Sequence, residues 1–305
     1  MRKRPLRNVA ASVHERLLHR ARESGRLFNE LLPYFAMERF LYRLSKSPHA
    51  DKFILKGALM LNVWGAPLPR PTKDIDLLGR TENRVEAIVA IVREVCVQDV
   101  EPDGLRFDAA SVEGGPILDT AEYEGVGVRF RGNLGRARVF MEIHVGFGDT
   151  VYPTARLTEY PTILDFPAPR LRGYTRESTV AEKFQAMVRY GLINSRMKDF
   201  FDIWLLCRQF DFDGETLAAA VAKTFARRRT DVLAQPVALT ATFGGDRSKA
   251  AQWQAFVRSR RLKDAPTDLG EVVEAIAGFL GPVAAALSSS RPFVGRWRAP
   301  GPWAD

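Results

Sequence analysis

The amino-acid sequence predicts an α+β protein in which a first domain with a mixed sheet is followed by a mostly helical domain. Strand signals concentrate between residues 53 and 149, whereas apolar residues at helical spacing dominate beyond residue 176. The length of 305 residues also suits two domains of roughly 100–200 residues each. We therefore predict a first domain over residues 1–170, a helical domain over 171–290 and a loose tail over 291–305.

Two helices are predicted over residues 11–46. Ser12 is the predicted N-cap of the first helix, and Gly25 ends its apolar pattern. The second helix carries an apolar stripe from Phe28 to Leu44, which is more typical of a protein core than of a cofactor site.

The predicted sheet begins with the apolar run 53–56, which enters a turn at Lys56–Gly57 and then a helical stretch. A loop over residues 65–71 contains three prolines, and Asp74–Gly79 then alternates like a strand. The remaining predictions are an amphipathic helix at 83–97 and an antiparallel hairpin that pairs 126–131 with 137–145.

Four prolines over residues 151–175 indicate a linker between the two domains. Beyond it, helical periodicity predicts five helices, at 177–190, 196–209, 215–229, 247–260 and 268–288.

The composition restricts the class of protein and its partners. The net charge of +9 and the pI of about 9.7 suit a polyanionic partner such as nucleic acid or a nucleoside triphosphate, although a basic solvated surface is the alternative. The two cysteines lie in apolar runs without metal-ligand spacing, which indicates a reducing cytoplasm. We find neither a signal peptide nor a run of 18 apolar residues, and so expect no membrane partner.

The segment Arg70-Pro-Thr-Lys-Asp-Ile-Asp76 is the sharpest local feature. Side chains alternate along a strand, so Asp74 and Asp76 are expected on one face, where a cation would offset their mutual repulsion. Mg²⁺ takes one or two carboxylates together with substrate phosphates, which makes these residues the predicted metal ligands. The alternative is a pair of surface aspartates near a turn.

The Lys56–Gly57 turn adds to this signal, because glycine lets the backbone approach a phosphate. Arg70 and Lys73 would place further positive charge beside the carboxylates. A single D-x-D or K-G pair is weak evidence, but their combination at this spacing is much more specific.

Six stretches of the sequence, in order along most of the chain, resemble the AbiEii-type nucleotidyltransferase toxins, the family that includes the mycobacterial MenT toxins. They are Phe53–Met60, Arg70–Gly79, Gly146–Asp149, Tyr160–Phe166, Val180–Met187 and Ser195–Trp204. The resemblance implies a DNA polymerase β-like nucleotidyltransferase domain followed by a helical domain.

The resemblance also implies roles for individual residues. Asp74 and Asp76 would hold Mg²⁺, Lys183 would contact the nucleotide phosphates, and Asp199 would complete the site, with Asp202 as the other candidate. The implied nucleotide-binding residues are Lys56, Gly57, Ala58, Arg70, Thr72 and Lys183. Without the family, Lys183 would be a lysine that extends along an apolar helix face, and Lys198 with Asp202 a surface ion pair.

Two positions depart from the family pattern. Ala58 stands where many relatives have a glycine or a small hydroxyl residue. His144 stands where the superfamily usually has a third carboxylate, while Glu142 lies on the same predicted strand face. The third ligand is therefore Glu142, His144 or absent, and His144 is alternatively a base for the incoming hydroxyl or a structural residue.

The implied function is that of a toxin in a bacterial toxin–antitoxin system. It would add nucleotides from a nucleoside triphosphate to the 3′ end of tRNA and block translation, with an AbiEi-like antitoxin encoded by a neighbouring gene as its partner. The basic segments 226–230 and 258–261 would supply part of an RNA surface, or are solvated helix faces. The alternatives are transfer to a protein or small molecule, and a nucleotide-binding regulator without turnover.

Overall fold

The computed structural model describes residues 8–66, 70–119, 123–262 and 264–304, and it divides into two compact units. The sheet unit comprises the described residues of Met1–Trp64, Thr72–Gly148 and Arg156–Gly173. The helical unit comprises those of Gly65–Pro71, Asp149–Ala155 and Tyr174–Asp305. Residues 67–69 of the predicted proline-rich loop lie outside the described residues.

A seven-stranded mixed sheet forms the centre of the sheet unit. Its strands are β1 Phe53–Lys56, β2 Asp74–Gly79, β3 Leu105–Asp119, β4 Tyr123–Leu134, β5 Ala137–Phe147, β6 Arg156–Glu159 and β7 Arg170–Gly173. They lie in the order β3-β4-β5-β2-β1-β7-β6. The β2–β5 and β1–β7 pairs are parallel and the others are antiparallel, so the sheet is mixed. The predicted fold class is confirmed.

Helices cover one face of this sheet. They are α1 Val9–Ser24, α2 Phe28–Lys46, the short α3 Leu59–Val63 and α4 Val85–Cys96. Val139, Ile143 and the other odd-numbered residues of β5 from 139 to 145 are buried on the helical side, where α2 contacts β5 and α4 contacts β3. The even-numbered residues from 138 to 144 are exposed or half-buried on the opposite face.

Helix α1 begins earlier than predicted. The Asn8 side chain accepts a hydrogen bond of 3.0 Å from the Ala11 backbone N–H, so Asn8 is the N-cap and Ser12 lies inside the helix. Both residue types are good N-caps, and the choice between them depends on where the preceding chain becomes extended.

The predicted linker contains two strands of the sheet. Within residues 151–175, β6 and β7 pair with each other, and β7 also adds a parallel strand to β1 through Ile54 and Arg172. The prolines lie outside these two four-residue strands and therefore do not interrupt their hydrogen bonding. The pairing with β1 joins segments more than a hundred residues apart, which no local pattern reveals.

The helical unit contains the remaining helices. They are α5 Arg176–Tyr190, α6 Met197–Gln209, α7 Gly214–Arg227, the short α8 Ala241–Gly244, α9 Arg247–Arg260 and α10 Leu269–Ser288. Thr175, Asp213, Asp246 and Asp268 cap α5, α7, α9 and α10 through side-chain oxygens. Phe184, Phe200 and Trp253 are fully buried in the core of this unit.

Helix α10 is long and apolar enough to cross a membrane by length and composition, although the sequence predicts no span. Half of its most apolar window is buried inside the protein, and the core helices of globular proteins pass the same test. Val272, Ile276 and Leu280 of α10 are fully buried, where the helix contacts α6, α7 and α8. The apolar composition is therefore accounted for by packing within the helical unit.

The tail predicted to be loose contains two short strands. β9 Arg296–Trp297 pairs with β8 Phe212–Asp213 and with β10 Trp303–Ala304. Trp297 is only 4% exposed, and its indole N–H donates a 2.6 Å hydrogen bond to the Cys207 carbonyl. Its large apolar ring and satisfied N–H hold this segment against α6 despite the surrounding prolines and glycines.

Candidate active site

Asp74 and Asp76 extend from the same face of β2. Their side chains are 29% and 31% exposed, whereas Ile75 between them is fully buried on the other face. The parallel neighbour β5 places Glu142 opposite Asp74 and His144 opposite Asp76. Four polar side chains from two adjacent strands therefore converge on one patch of the sheet.

His144 is in contact with both aspartates. Its Nδ1 atom is 3.5 Å from Asp74 Oδ2 and 3.6 Å from Asp76 Oδ1. Hydrogen bonding to Asp74 and then to Asp76 raises the pKa of His144 to about 10, although partial burial acts in the opposite direction. The imidazolium is thus the positive partner of two carboxylates that would otherwise repel each other.

Glu142 has a different set of partners. Arg129 donates to Glu142 Oε1 from Nε at 2.9 Å and from Nη2 at 2.8 Å. The same oxygen lies 3.4 Å from His144 Nε2. The carboxylate of Glu142 is therefore held between Arg129 and His144, on the far side of the imidazole ring from the aspartates.

The cluster of Asp74, Asp76 and His144 fits a divalent cation. Each can offer one ligand atom, His144 only in its neutral form, and these atoms lie within 4.8 Å of one another. Among the described residues this is the one group of three or more such side chains that meets this distance, and Glu142 is not part of it. The two carboxylates are suitable ligands for Mg²⁺, whereas an imidazole nitrogen suits softer metals better.

Thr72 orients Asp74. Its hydroxyl donates to Asp74 Oδ1, and its own backbone N–H donates a 2.9 Å hydrogen bond to the Tyr34 hydroxyl of α2. Thr72 was predicted to bind nucleotide, and in this structure its hydroxyl is used to position a predicted metal ligand.

The Lys56–Gly57 turn lies beside Asp76. Lys56 is the partner of Asp76 in the antiparallel β1–β2 pair. Gly57 has a left-handed φ of +72°, and a Cβ atom there would overlap the Asp76 carboxylate. Ala58 is 4% exposed, so its methyl group lies in the core and only its backbone is available to a ligand. Glycine at position 57 is therefore required for both conformation and space.

A second polar cluster lies within the helical unit and centres on Lys183 of α5. Lys183 Nζ is 2.7 Å from Asp199 Oδ1 and 2.8 Å from Asp202 Oδ2, both on α6. Arg70 makes a two-pronged contact with Asp202 through Nε at 2.8 Å and Nη2 at 3.0 Å. Arg196 Nε donates to Asp199 Oδ2 at 2.7 Å. Three cations therefore surround two carboxylates.

Burial and charge act in opposite directions on these groups. Burial alone would raise the pKa of Asp199, but the charges of Lys183 and Arg196 outweigh it and hold that pKa below the usual range. For Asp202, burial is likewise outweighed by the charges of Arg70 and Lys183, and its pKa is lowered. Burial would lower the pKa of Lys183, whereas the two aspartates raise it above its ordinary value. All three groups are therefore charged at neutral pH.

One expectation for this cluster needs correction. Asp202 is not part of a surface ion pair with Lys198, because it is 2% exposed and its carboxylate binds Arg70 and Lys183. The guanidinium of Arg70 contacts Asp202 within the helical unit, and the charge that Arg70 was predicted to add beside Asp74 and Asp76 stays a prediction. The Arg70–Asp202 pair spans 132 residues, so sequence spacing gave no signal for it.

Arg228 also differs from expectation. It belongs to the basic segment 226–230, which we considered as an RNA surface, but its side chain is only 15% exposed. It donates to Asp149 Oδ1 at 2.9 Å and to Gln185 Oε1 at 3.0 Å. This arginine is therefore part of an internal network that sequence reasoning missed.

This chain is similar to one protein family and to several solved structures. A family model described as "Nucleotidyl transferase AbiEii toxin, Type IV TA system" matches residues 39–275. No curated protein matches the sequence. The crystal structure of JHP933 from Helicobacter pylori has a TM-score of 0.47 and 15% identity over 86% of this chain and 93% of that one. A crystal structure described as a "putative nucleotidyltransferase" from the same organism has a TM-score of 0.43 and 15% identity, over 86% of this chain and 96% of that one.

Proposed function

Because the chain belongs to the AbiEii family of nucleotidyl transferase toxins of type IV toxin–antitoxin systems, we propose that it transfers nucleotides from a nucleoside triphosphate to the 3′ end of tRNA and thereby blocks translation. Family membership makes the protein a nucleotidyltransferase with a cognate antitoxin. We also propose the finer parts of this function: tRNA as the acceptor, the use of Mg²⁺, an AbiEi-like antitoxin from a neighbouring gene and a cytoplasmic location. The cluster of Asp74, Asp76 and His144 is the observation that carries it.

In this proposal Asp74 and Asp76 hold Mg²⁺. A bound Mg²⁺ neutralises the charge of the triphosphate and favours in-line attack by a hydroxyl with loss of pyrophosphate. Thr72 keeps the Asp74 carboxylate in one orientation, and Gly57 leaves room for Asp76. The backbone of the turn at Gly57 and Ala58 would contact the phosphates, which bear the charge that the reaction redistributes.

Lys183 is proposed to contact the nucleotide phosphates. An ammonium group has three N–H donors, and two of them are oriented by Asp199 and Asp202. The side chain is 13% exposed, so the third donor is able to meet a phosphate oxygen at the surface of the cluster. Asp199 and Asp202 then act as positioning residues, and Arg70 and Arg196 keep them ionised.

The positive charge of the protein supports RNA as the acceptor. The net charge of +9 favours association with a polyanion through phosphate contacts. A tRNA with extra nucleotides beyond its 3′ end no longer presents the terminal hydroxyl to which the amino acid is attached, which is how the transfer would stop translation. His144, next to both aspartates, would alternatively accept the proton of that hydroxyl, but only after losing its own proton, which a cation bound at the aspartates would favour.

The test is incubation of purified protein with Mg²⁺, each of the four labelled triphosphates and a tRNA pool. Label is expected at the 3′ end of RNA with at least one triphosphate, and none is expected on tRNA whose terminal ribose has been oxidised with periodate. Asp76→Asn should remove the label. Label on protein or on a small molecule, with none on RNA, would refute the tRNA acceptor.

Expression in cells gives a second measurement. Growth arrest by the wild type but not by Asp76→Asn is the expected result. Equal arrest by both would instead indicate a protein that binds nucleotide and acts without turnover.

A further inference from the structure

The outer face of strands β3, β4 and β5 carries a row of arginines around one phenylalanine. We call it the arginine face and define it by Arg106 of β3, Arg129 and Arg131 of β4, and Arg138 and Phe140 of β5. The strand registers place Arg131 opposite Phe140 and Arg129 opposite Glu142. Because residues paired across neighbouring strands point the same way, these side chains share the face that the helices leave open.

Phe140 is exposed on this face, with 76% of the residue accessible. Its neighbours along the strand, Val139 and Met141, are 3% and 2% exposed, so they form the core contacts of β5. Exposure on this scale costs hydrophobic free energy and adds nothing to packing. An accessible ring among arginines is typical of surfaces on which unpaired bases stack.

The arginine face is continuous with the candidate active site. Along β5, every second residue from His144 through Glu142 and Phe140 to Arg138 lies on this face. At about 3.3 Å per residue, the track from position 144 to position 138 is about 20 Å long. It starts at the Asp74, Asp76 and His144 cluster and is long enough for several nucleotides.

The charges of the face favour a phosphate backbone. Among the side chains that the structure describes on this face, four arginines stand with three carboxylates, those of Asp108, Glu113 and Glu142, and Arg136 at the β4–β5 turn adds a further positive charge. Arg129 and Arg131 pair with Glu142 and Asp108 while remaining 79% and 60% exposed. Ion pairs this exposed are weak and readily exchanged for a phosphate. Neither Arg106 nor Arg138 has an ion-pair partner within the described ranges.

We propose that the arginine face binds the single-stranded 3′ end of an acceptor RNA, with a base stacked on Phe140 and phosphates on Arg131 and Arg138. The strand would lead the terminal hydroxyl toward Asp74 and Asp76. This inference rests on the proposed function for its RNA acceptor. A protein partner fits the face less well, because a single apolar side chain among arginines lacks the apolar centre of a stable protein interface.

The first test is binding, measured without nucleotide or turnover. Fluorescein-labelled single-stranded RNA is titrated with protein, and anisotropy is recorded over a range of salt concentrations. Phe140→Ala should weaken binding by about 5- to 150-fold, the usual effect of losing one stacked base. Arg131→Ala with Arg138→Ala should reduce the slope of log K against log salt by roughly 0.7 for each phosphate that the variant no longer binds.

The matched controls lie on β6 of the same unit. Leu157→Ala removes an apolar side chain that is 60% exposed, and Arg156→Ala removes an exposed arginine. Both controls should bind RNA as the wild type does. All variants should unfold at the wild-type temperature, because the substituted side chains are exposed.

The second test separates this inference from the proposed function. In the transfer assay, Phe140→Ala should raise the KM for tRNA while the KM for the triphosphate stays unchanged. Suppose that the wild type transfers nucleotides to tRNA, while Phe140→Ala and the double arginine variant bind RNA as the wild type does. This result would refute RNA binding by the arginine face and would leave the proposed function unaffected. If these variants bind RNA more weakly but the wild type transfers nucleotides only to protein, RNA binding by the arginine face is supported and the tRNA acceptor is refuted. Loss of binding to a protein partner with RNA binding intact would reassign the face to that protein.

Discussion

His144 lies opposite Asp76 in the parallel β2–β5 pair, with 3.6 Å between His144 Nδ1 and Asp76 Oδ1. The same nitrogen is 3.5 Å from Asp74 Oδ2. The position at which the family resemblance led us to expect a third carboxylate therefore holds a side chain that contacts both aspartates. Substitutions of single side chains can therefore test the role of each member of the cluster.

Asp76→Asn and Asp74→Asn should each reduce nucleotide transfer by about 100-fold or more, which corresponds to about 3 kcal/mol of transition-state stabilisation. An amide keeps the shape of the side chain and removes the charge that holds the cation. Steady-state rates with tRNA and triphosphate measure the effect. Asp51→Asn is the control, since that side chain is 92% exposed in the same unit and should leave the rate unchanged. Activity of both variants near the wild-type rate would contradict the metal site.

His144 and Glu142 should differ in their effect on metal binding. His144→Asp adds a third oxygen ligand beside Asp74 and Asp76, so it should tighten the binding of Mn²⁺, measured by electron paramagnetic resonance without nucleotide. Glu142→Gln should change this affinity less than about threefold, because Arg129 holds that carboxylate on the far side of the imidazole. A larger loss in Glu142→Gln than in His144→Ala would make Glu142 the third ligand.

Gly57→Ala should abolish transfer, whereas Gly25→Ala should not. Both glycines have left-handed φ values, +72° and +65°, so each alanine costs about 1–2 kcal/mol of stability. Only the Cβ at position 57 would displace the Asp76 carboxylate, since nothing lies within 4 Å of one at position 25. Rates and urea unfolding of the two variants give the comparison. Equal rates in both would show that the position of Asp76 tolerates the extra methyl group.

Asp202→Ala should lower the free energy of unfolding by about 3–5 kcal/mol, because it removes the buried carboxylate that binds both Arg70 and Lys183 inside the helical unit. Asp211→Ala is the control, since its contact with Arg298 is solvent-exposed and its loss should matter little. Urea unfolding followed by circular dichroism measures both. A small effect of Asp202→Ala would mean that water replaces the missing carboxylate.

The same cluster predicts the direction of acid sensitivity. The pKa of Asp199 is below its unfolded value of 3.8, so its ionised form stabilises the folded state fully above that value. This stabilisation is lost as the pH falls through the folded pKa. Below about pH 4, the free energy of unfolding should therefore fall more steeply with decreasing pH in the wild type than in Asp199→Asn. Parallel curves for the two proteins would contradict the charged pair with Lys183.

Cys96 and Cys207 should report on the two units separately. Burial raises the pKa of each thiol to about 12, so only about one thiol in ten thousand is ionised at pH 8. Both should resist alkylation until the surrounding unit opens. In Cys96→Ser the remaining thiol is Cys207, so its labelling rate in increasing urea reports the opening of the helical unit. In Cys207→Ser the remaining Cys96 reports the opening of the sheet unit in the same way, and mass spectrometry measures both rates. Rapid labelling of either thiol in native buffer would show that its burial is transient.

Local patterns predicted the elements whose signals are local. Helix α5 begins one residue before its predicted start, and α6 one residue after, because helical spacing of apolar residues marks the buried side of each. Asp74 and Asp76 share a face because strand geometry alternates side chains. The family, the fold class and the nucleotidyltransferase activity were likewise predicted and are confirmed. The roles of individual site residues stay predictions.

Features that join distant segments were not predicted. The strands β6 and β7 lie in a stretch that we interpreted as a linker, and Trp297 is buried in a tail that we interpreted as loose. The contact of Arg70 with Asp202, 132 residues further along the chain, was not predicted either.

The sequence alone determined the helices, the D-x-D strand and the family, because backbone geometry imposes fixed periods of about 3.6 and 2 residues on any buried face. The tertiary structure alone decided the partners of the buried charges and the contact of His144 with both aspartates. A desolvated charge must meet an opposite one, and which one is within reach depends on how segments far apart in the chain pack together.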